Sequence, residues 1–141
     1  MFVDVKSERH AALGLGALGL AISLYLTAES YDSRVPLSCP STGAINCARV
    51  TTSVYSHIFG VPVALLGALW FAAIIALVYF DCKAALLPFW TLGAVFVGYL
   101  VFTEVFLIHS ICLYCTAVHA TVLVLGYPVA RLAFRDEQVG R

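Results

Sequence analysis

The sequence predicts an all-α membrane protein: a bundle of four transmembrane helices, with a long loop on the outer side between the first and second. Three observations lead there. Hydrophobic residues make up 62% of the 141-residue chain and charged residues only 11%, where soluble domains carry about 25% charged; the mean hydropathy is +0.95. Four apolar stretches, at about 10–28, 61–80, 86–108 and 112–134, each approach the ~20 residues that a helix needs to cross the hydrocarbon. Most of the polar residues fall in the connection 29–60. No repeat or soluble domain interrupts this pattern, so residues 1–141 are expected to form a single membrane domain. The formal net charge is zero and the chain has no basic stripe, which excludes a polyanion binder.

The first stretch follows Lys6 and Arg9, as the apolar part of a signal peptide would. Leu26, however, stands where a cleavage site before Glu29 would need a small residue, so a retained helix is expected. Its Gly14, Gly16 and Gly19 read as close-packing positions against a neighbouring helix. The second and third stretches carry Pro62 and Pro88 near their starts, where a missing N–H costs nothing. Pro128 lies inside the fourth and predicts a kink. Tyr25, Tyr79, Trp90 and Tyr114 fall near segment ends, where amphipathic rings settle at the membrane interface. Trp70, Phe71, Phe96 and Phe102 read as core or lipid-facing bulk. Residues 51–59 are amphipathic enough to predict a short interfacial helix.

Basic residues orient the bundle. Lys6, Arg9, Lys83, Arg131, Arg135 and Arg141 lie at the termini and in the second connection; only Arg34 and Arg49 lie in the first and third. The positive-inside rule therefore places both termini in the cytoplasm, in a multi-pass protein of the plasma membrane. Cys39, Cys47, Cys112 and Cys115 then share the outer face, where disulfides persist. Cys82 alone falls on the cytoplasmic side and is expected to be a bystander.

The chemistry concentrates at that outer face. Cys112-Leu113-Tyr114-Cys115 opens the fourth stretch, and a C-x-x-C pair closes a readily exchanged disulfide. A helix N-terminus carries partial positive charge, which favours thiolate. Two buried small hydrophobes are the bland alternative. A zinc site could draw on Cys39, Cys47, Cys112 and Cys115, but a C-x7-C spacing suits a zinc knuckle poorly, and no metal is expected. His119 follows Cys115 by four residues and Cys112 by seven, so all three share one helical face. A histidine inside a membrane is a functional candidate; the alternative is a histidine bonded to a neighbouring helix. Glu104 also interrupts an apolar run and either reaches the interface or handles protons.

The run Cys39-Pro40-Ser41-Thr42-Gly43-Ala44-Ile45-Asn46-Cys47, followed by Ala48-Arg49-Val50, Ser53, Ile58-Phe59-Gly60 and the late C-x-x-C, resembles the vitamin K epoxide reductase family over about residues 10–134. The resemblance implies a four-helix bundle around a quinone of the ubiquinone, menaquinone or vitamin K type, capped by the first loop. It implies that Cys112 and Cys115 face the quinone and that Cys39 and Cys47 relay electrons from a partner. It points to Ser53 near the quinone. Ser56 and His119 stand at the positions where animal members hold the vitamin K oxygens with an asparagine and a tyrosine, so quinone reduction is expected ahead of epoxide reduction. Many bacterial members carry a fused thioredoxin-like domain; this chain ends at Arg141, so a separate thioredoxin-like (DsbA-like) partner is expected. The DsbB family places its C-x-x-C in the first outer loop, the reverse of the order here.

The expected activity is thus a membrane thiol:quinone oxidoreductase that generates disulfides outside the cytoplasm. A vitamin K or vitamin K epoxide reductase is the same-class alternative. A non-catalytic membrane subunit with structural disulfides is the alternative of another class.

Overall fold

The computed structural model describes residues 4–32, 34–36 and 38–139, with side chains through Arg135. Helix α1 spans Val5–Tyr31. It starts five residues before the apolar stretch because Asp4 caps it, its carboxylate accepting the Lys6 amide. The connection to the next long helix holds a short helix α2, Cys47–Thr51, a 3-10 turn at Val54–Ser56, and a hairpin of β1, His57–Ile58, with β2, Val61–Pro62.

No single interfacial helix forms over 51–59. The Thr52 hydroxyl bonds the Ala48 carbonyl, and the Ser53 hydroxyl bonds that of Val50. Such local hydroxyl bonds compete with helix continuation. Phe59 and Gly60 then turn the hairpin with φ of 52° and 80°, the two left-handed residues that a tight two-residue turn demands. Residues 61–62 are therefore strand, and helix α3 spans only Val63–Tyr79.

Helix α4 spans Lys83–Phe102 and passes into a π-helical turn at Thr103–Ile108. His109, with φ of 55°, ends that turn. Helix α5 spans Leu113–Val139, past the expected end at 134, with Pro128 inside it. The segments Val5–Tyr31, Lys83–Ile108 and Leu113–Arg135 are long and apolar enough to cross a membrane; α3 is as apolar but has 17 residues.

The four long helices close a ring in which α1 packs on α3 and α5, while α4 packs on α5 and α3. Phe71, Ile74, Leu125 and Val129 fill its centre. Gly19 lets α1 approach α3: a Cβ there would lie 2.2 Å from the Phe71 ring. Gly16 meets Ile75 in the same way, whereas Gly14 faces open space and packs against nothing. Trp90 is not an interface anchor by its polar end. Its indole N–H donates to the Val122 carbonyl at 2.8 Å, tying α4 to α5. At the end of the ring remote from the C-x-x-C, Arg9 donates to the Tyr79 carbonyl at 2.7 Å and Arg131 lies 3.9 Å from buried Glu8. Cys82 is exposed in the α3–α4 hairpin at that end.

Candidate functional site

The first connection reaches the C-x-x-C through main-chain bonds. Thr42 and Ile45 pair across a tight turn, and Ile45 bridges in parallel to Ile111. The Ile111 amide donates to the Ala44 carbonyl at 2.8 Å, and the Asn46 amide donates to the Ile111 carbonyl at 3.1 Å. Asn46 then caps α2, its side-chain oxygen accepting the Arg49 amide at 3.0 Å. This fixes Cys47, the first residue of α2, beside Cys112, which directly follows Ile111. Tyr114 adds a second tie, its hydroxyl donating to the Ser38 carbonyl at 3.3 Å.

All four sequence-predicted cysteines meet here. Cys39 and Cys47 are disulfide-bonded, with Cα atoms 6.1 Å apart, and Cys112 and Cys115 are free thiols. Cys47 and Cys112 are buried, at 1% and 0% exposure, in one cluster with Val50 and Ile108; Cys39, Tyr55, Tyr114 and Cys115 pack against it. Cys39 is only half-buried, between exposed Ser38 and Pro40. The disulfide therefore presents its Cys39 sulfur outward and its Cys47 sulfur inward.

Cys112 immediately precedes α5 and caps it. Its sulfur accepts the Cys115 amide at 3.3 Å, and its carbonyl accepts both the amide and the hydroxyl of Thr116, at 2.9 and 2.8 Å. The Cys115 thiol also bonds this sulfur, and these bonds hold the Cys112 thiol below the ordinary cysteine value despite its burial.

A partly open cavity of about 380 Å³ lies directly beneath the cluster, lined by α1, α3, α4, α5 and the α2 region. Ser53, Ser56 and His119, the other sequence-predicted site residues, all line it, and so does Cys115. The remaining wall is mostly apolar. Trp70, Phe71 and Phe96, read from sequence only as bulk, belong to it, whereas Phe102 is exposed and does not.

The polar groups differ in what they can offer. The Ser53 hydroxyl donates to the Val50 carbonyl at 2.7 Å and the Ser56 hydroxyl to the Ser53 carbonyl at 2.7 Å. Among the described residues His119, buried to 6% exposure, has no hydrogen-bond partner.

Ser23 and Ser30 of α1, together with Tyr55 and Thr103, also line the cavity. The sequence reading missed them; two serines in a transmembrane helix seven residues apart were the available signal for α1. Among the described residues no group of three or more His, Cys, Asp or Glu side chains is arranged to hold a metal.

The pattern described as the vitamin K epoxide reductase family matches residues 10–129, most of the chain. The chain belongs to the vitamin K epoxide reductase family. This vitamin K epoxide reductase family member is accordingly a multi-pass membrane protein of an oxidoreductase family, with four of its five cysteines gathered at one end of a helical bundle. A cavity of this size falls in the range of small-molecule sites, which are mostly apolar with a few placed polar groups. Cys115 and His119 are among the polar residues of its lining, and Leu92 and Phe96 among the apolar ones.

Proposed function

We propose that this protein is a thiol:quinone oxidoreductase that takes electrons from a thioredoxin-like partner through Cys39–Cys47, then Cys112 and Cys115. The observation that carries the reading is the placement of Cys115. It is at once half of the free dithiol packed on the disulfide and a wall residue of the apolar cavity. The relay follows from which sulfur faces where. A thiol of the partner attacks the more accessible Cys39 sulfur, the Cys39–Cys47 bond breaks, and Cys47 is released against Cys112. When Cys112 and Cys115 are bonded to each other, the Cys47 thiolate attacks Cys112 and frees Cys115 at the cavity wall. Each step exchanges one S–S bond for another and needs an accessible thiolate.

A quinone bound in the cavity supplies an acceptor for two electrons and two protons. His119 would donate a hydrogen bond to its oxygen, while Ser53 and Ser56, whose hydroxyls bond backbone carbonyls, shape the wall. The aromatic side chains of Trp70 and Phe96 exclude water and orient a ring. The uneven distribution of basic residues supports an orientation in the plasma membrane with the cysteine end outside and both termini in the cytoplasm.

The test is anaerobic titration of purified, fully reduced protein with ubiquinone and menaquinone analogues, following loss of free thiol. Stoichiometric loss at Cys112 and Cys115 is expected. Cys112 and Cys115 thiols that persist at saturating quinone would refute the reading.

A further inference from the structure

The two halves of the outer disulfide are held by different means. Cys47 is fixed by main chain, through the Asn46–Ile111 bond and the start of α2. Cys39 is not. Among the described residues, no main-chain hydrogen bond reaches residues 36 or 38–41. Pro36 and Pro40 lie in this stretch and have no N–H to offer. What reaches it from the rest of the fold, besides the disulfide, is a pair of tyrosine hydroxyls. Tyr25 of α1 donates to the Pro36 carbonyl, and Tyr114 of α5 donates to the Ser38 carbonyl at 3.3 Å.

The two rings lie against each other with centroids 5.4 Å apart, so both hydroxyls come from one aromatic pair that joins α1 to α5. Both tyrosines are half-buried. Tyr114 also stands inside the C-x-x-C, directly before Cys115. The carbonyls that the pair holds lie just ahead of Cys39 in the chain, on the half of the disulfide that is the more accessible.

We propose that Tyr25 and Tyr114 form a latch that keeps Cys39 within reach of Cys47 and so sets the reduction potential of the outer disulfide. The proposal rests on the reading of Cys39–Cys47 as the pair that exchanges with a partner. The tyrosines act through the main chain of residues 36 and 38, which makes them positioning residues. Latch and disulfide order the same stretch of chain. Two events that share an ordering cost favour each other, and the coupling is reciprocal. With the latch closed, reduction leaves Cys39 near Cys47, and thiols held at close range re-form their bond more readily. Without it, the S–S bond alone must order the stretch again. Single hydroxyl bonds at half-buried positions are weak. A partner drawing Cys39 outward therefore breaks them, and they bring Cys39 back when the partner leaves.

The test uses the full chain, anaerobic and free of quinone, equilibrated in mixtures of reduced and oxidised glutathione. For each Cys39–Cys47 bond reduced to two thiols, two glutathione thiols are oxidised to one disulfide. Alkylation and mass spectrometry then read each cysteine pair separately. Tyr25→Phe and Tyr114→Phe keep the rings and remove the hydroxyls. Each should make the Cys39–Cys47 bond roughly two- to tenfold easier to reduce, which is about 9–30 mV at about 30 mV per tenfold. Tyr25→Phe, whose hydroxyl lies outside the C-x-x-C, should leave the potential of Cys112–Cys115 where it was.

An outer potential that either variant leaves unmoved, or shifts the other way, overturns the two-point latch. A Tyr25→Phe shift of equal size at both cysteine pairs also overturns it, because that pattern is a general loosening of the bundle and not a hold on the Cys39 stretch. Wild type separates the two levels. If its Cys39–Cys47 bond withstands the whole glutathione range, the outer disulfide is structural, the relay is wrong and the latch falls with it. If the bond exchanges in wild type at the same potential as in both variants, the latch alone is excluded.

Discussion

His119 should matter more to quinone binding than Ser53, although both line the same cavity. The reason lies in the donor inventory. A neutral quinone oxygen accepts hydrogen bonds, so only a free donor gains from it. The Ser53 hydroxyl proton is committed to the Val50 carbonyl at 2.7 Å, while His119 has no partner among the described residues. Replacing His119 by Phe keeps the ring volume and removes the donor. The loss is one neutral hydrogen bond, about 0.5–1.5 kcal/mol, which converts at about 1.36 kcal/mol per decade to roughly a two- to twelvefold rise in apparent quinone KM. Ser53→Ala should change it less than about twofold, because the variant forfeits a bond to its own backbone rather than one to the ligand. The assay is steady-state quinone reduction with a reduced dithiol donor at varied quinone. A control for the relay is the rate at which the donor reduces Cys39–Cys47, which both variants should leave unchanged. A Ser53→Ala effect larger than that of His119→Phe would refute the donor argument, and normal quinone kinetics in both would move the site out of this cavity.

Cys47→Ser and Cys112→Ser should abolish transfer from partner to quinone, whereas Cys39→Ser should block partner oxidation yet leave oxidation of the inner dithiol by quinone measurable; full partner-dependent turnover in Cys39→Ser would sink the relay order. Cys82→Ser should keep near-wild-type turnover, because Cys82 sits in the hairpin at the remote end of the bundle; a large loss there would reject the four-thiol relay. Gly19→Ala should lower thermal stability, since the added Cβ lies 2.2 Å from a fully buried Phe71 ring and overpacking costs about 1–3 kcal/mol; an unshifted melting curve would contradict the close α1–α3 contact. The Cys112 thiol is held low by the Cys115 thiol and amide, so its thiolate should persist below the ordinary cysteine range of about 8.5 and disappear only as pH falls further. Ultraviolet thiolate absorbance of reduced protein, minus that of Cys112→Ser, reads it, and a midpoint at or above the ordinary value would mean that burial outweighs the bonds.

Much of the site was legible because its residues are chemically rare in an apolar chain. Four cysteines, a histidine and a glutamate stand out against uninterrupted leucine, alanine and valine, and helix periodicity alone puts His119 beneath Cys115. The boundaries were less legible, since apolar content cannot separate a strand from a helix over two residues. Val61 and Pro62 continue an apolar run but pair with Ile58 and His57 instead. Phe71 lies in the core and Phe102 is exposed, as read, but the lining position of two other aromatic residues was hidden for a related reason. Composition makes Trp70 and Phe96 bulk, and only the splay of the helices around a void turns them into a wall. The burial of Glu104 in the cavity lining was hidden too, because a π-helical turn has no sequence signature and decides on which side the carboxyl group lands.

The contact between the cysteine pairs depends least on side chains. Cys47 and Cys112 are far apart in the chain, and neither has a polar partner able to hold it to the other. What joins them is main chain: the Ile45–Ile111 bridge, with the Ala44 and Ile111 carbonyls accepting across it. Backbone bonds of this kind tolerate almost any side chain, which is why residues 44, 45 and 111 carry no visible signal. They also fix the spacing of the two cysteines while leaving both sulfurs free to change partners. A relay by thiol exchange needs that combination, since a side-chain clamp on either sulfur would compete with the incoming thiol. The short helix α2, anchored by the Asn46 cap, then holds Cys47 in place when its bond to Cys39 is broken. In the proposed relay the more accessible half of the disulfide moves with the partner while the buried half stays in register with Cys112.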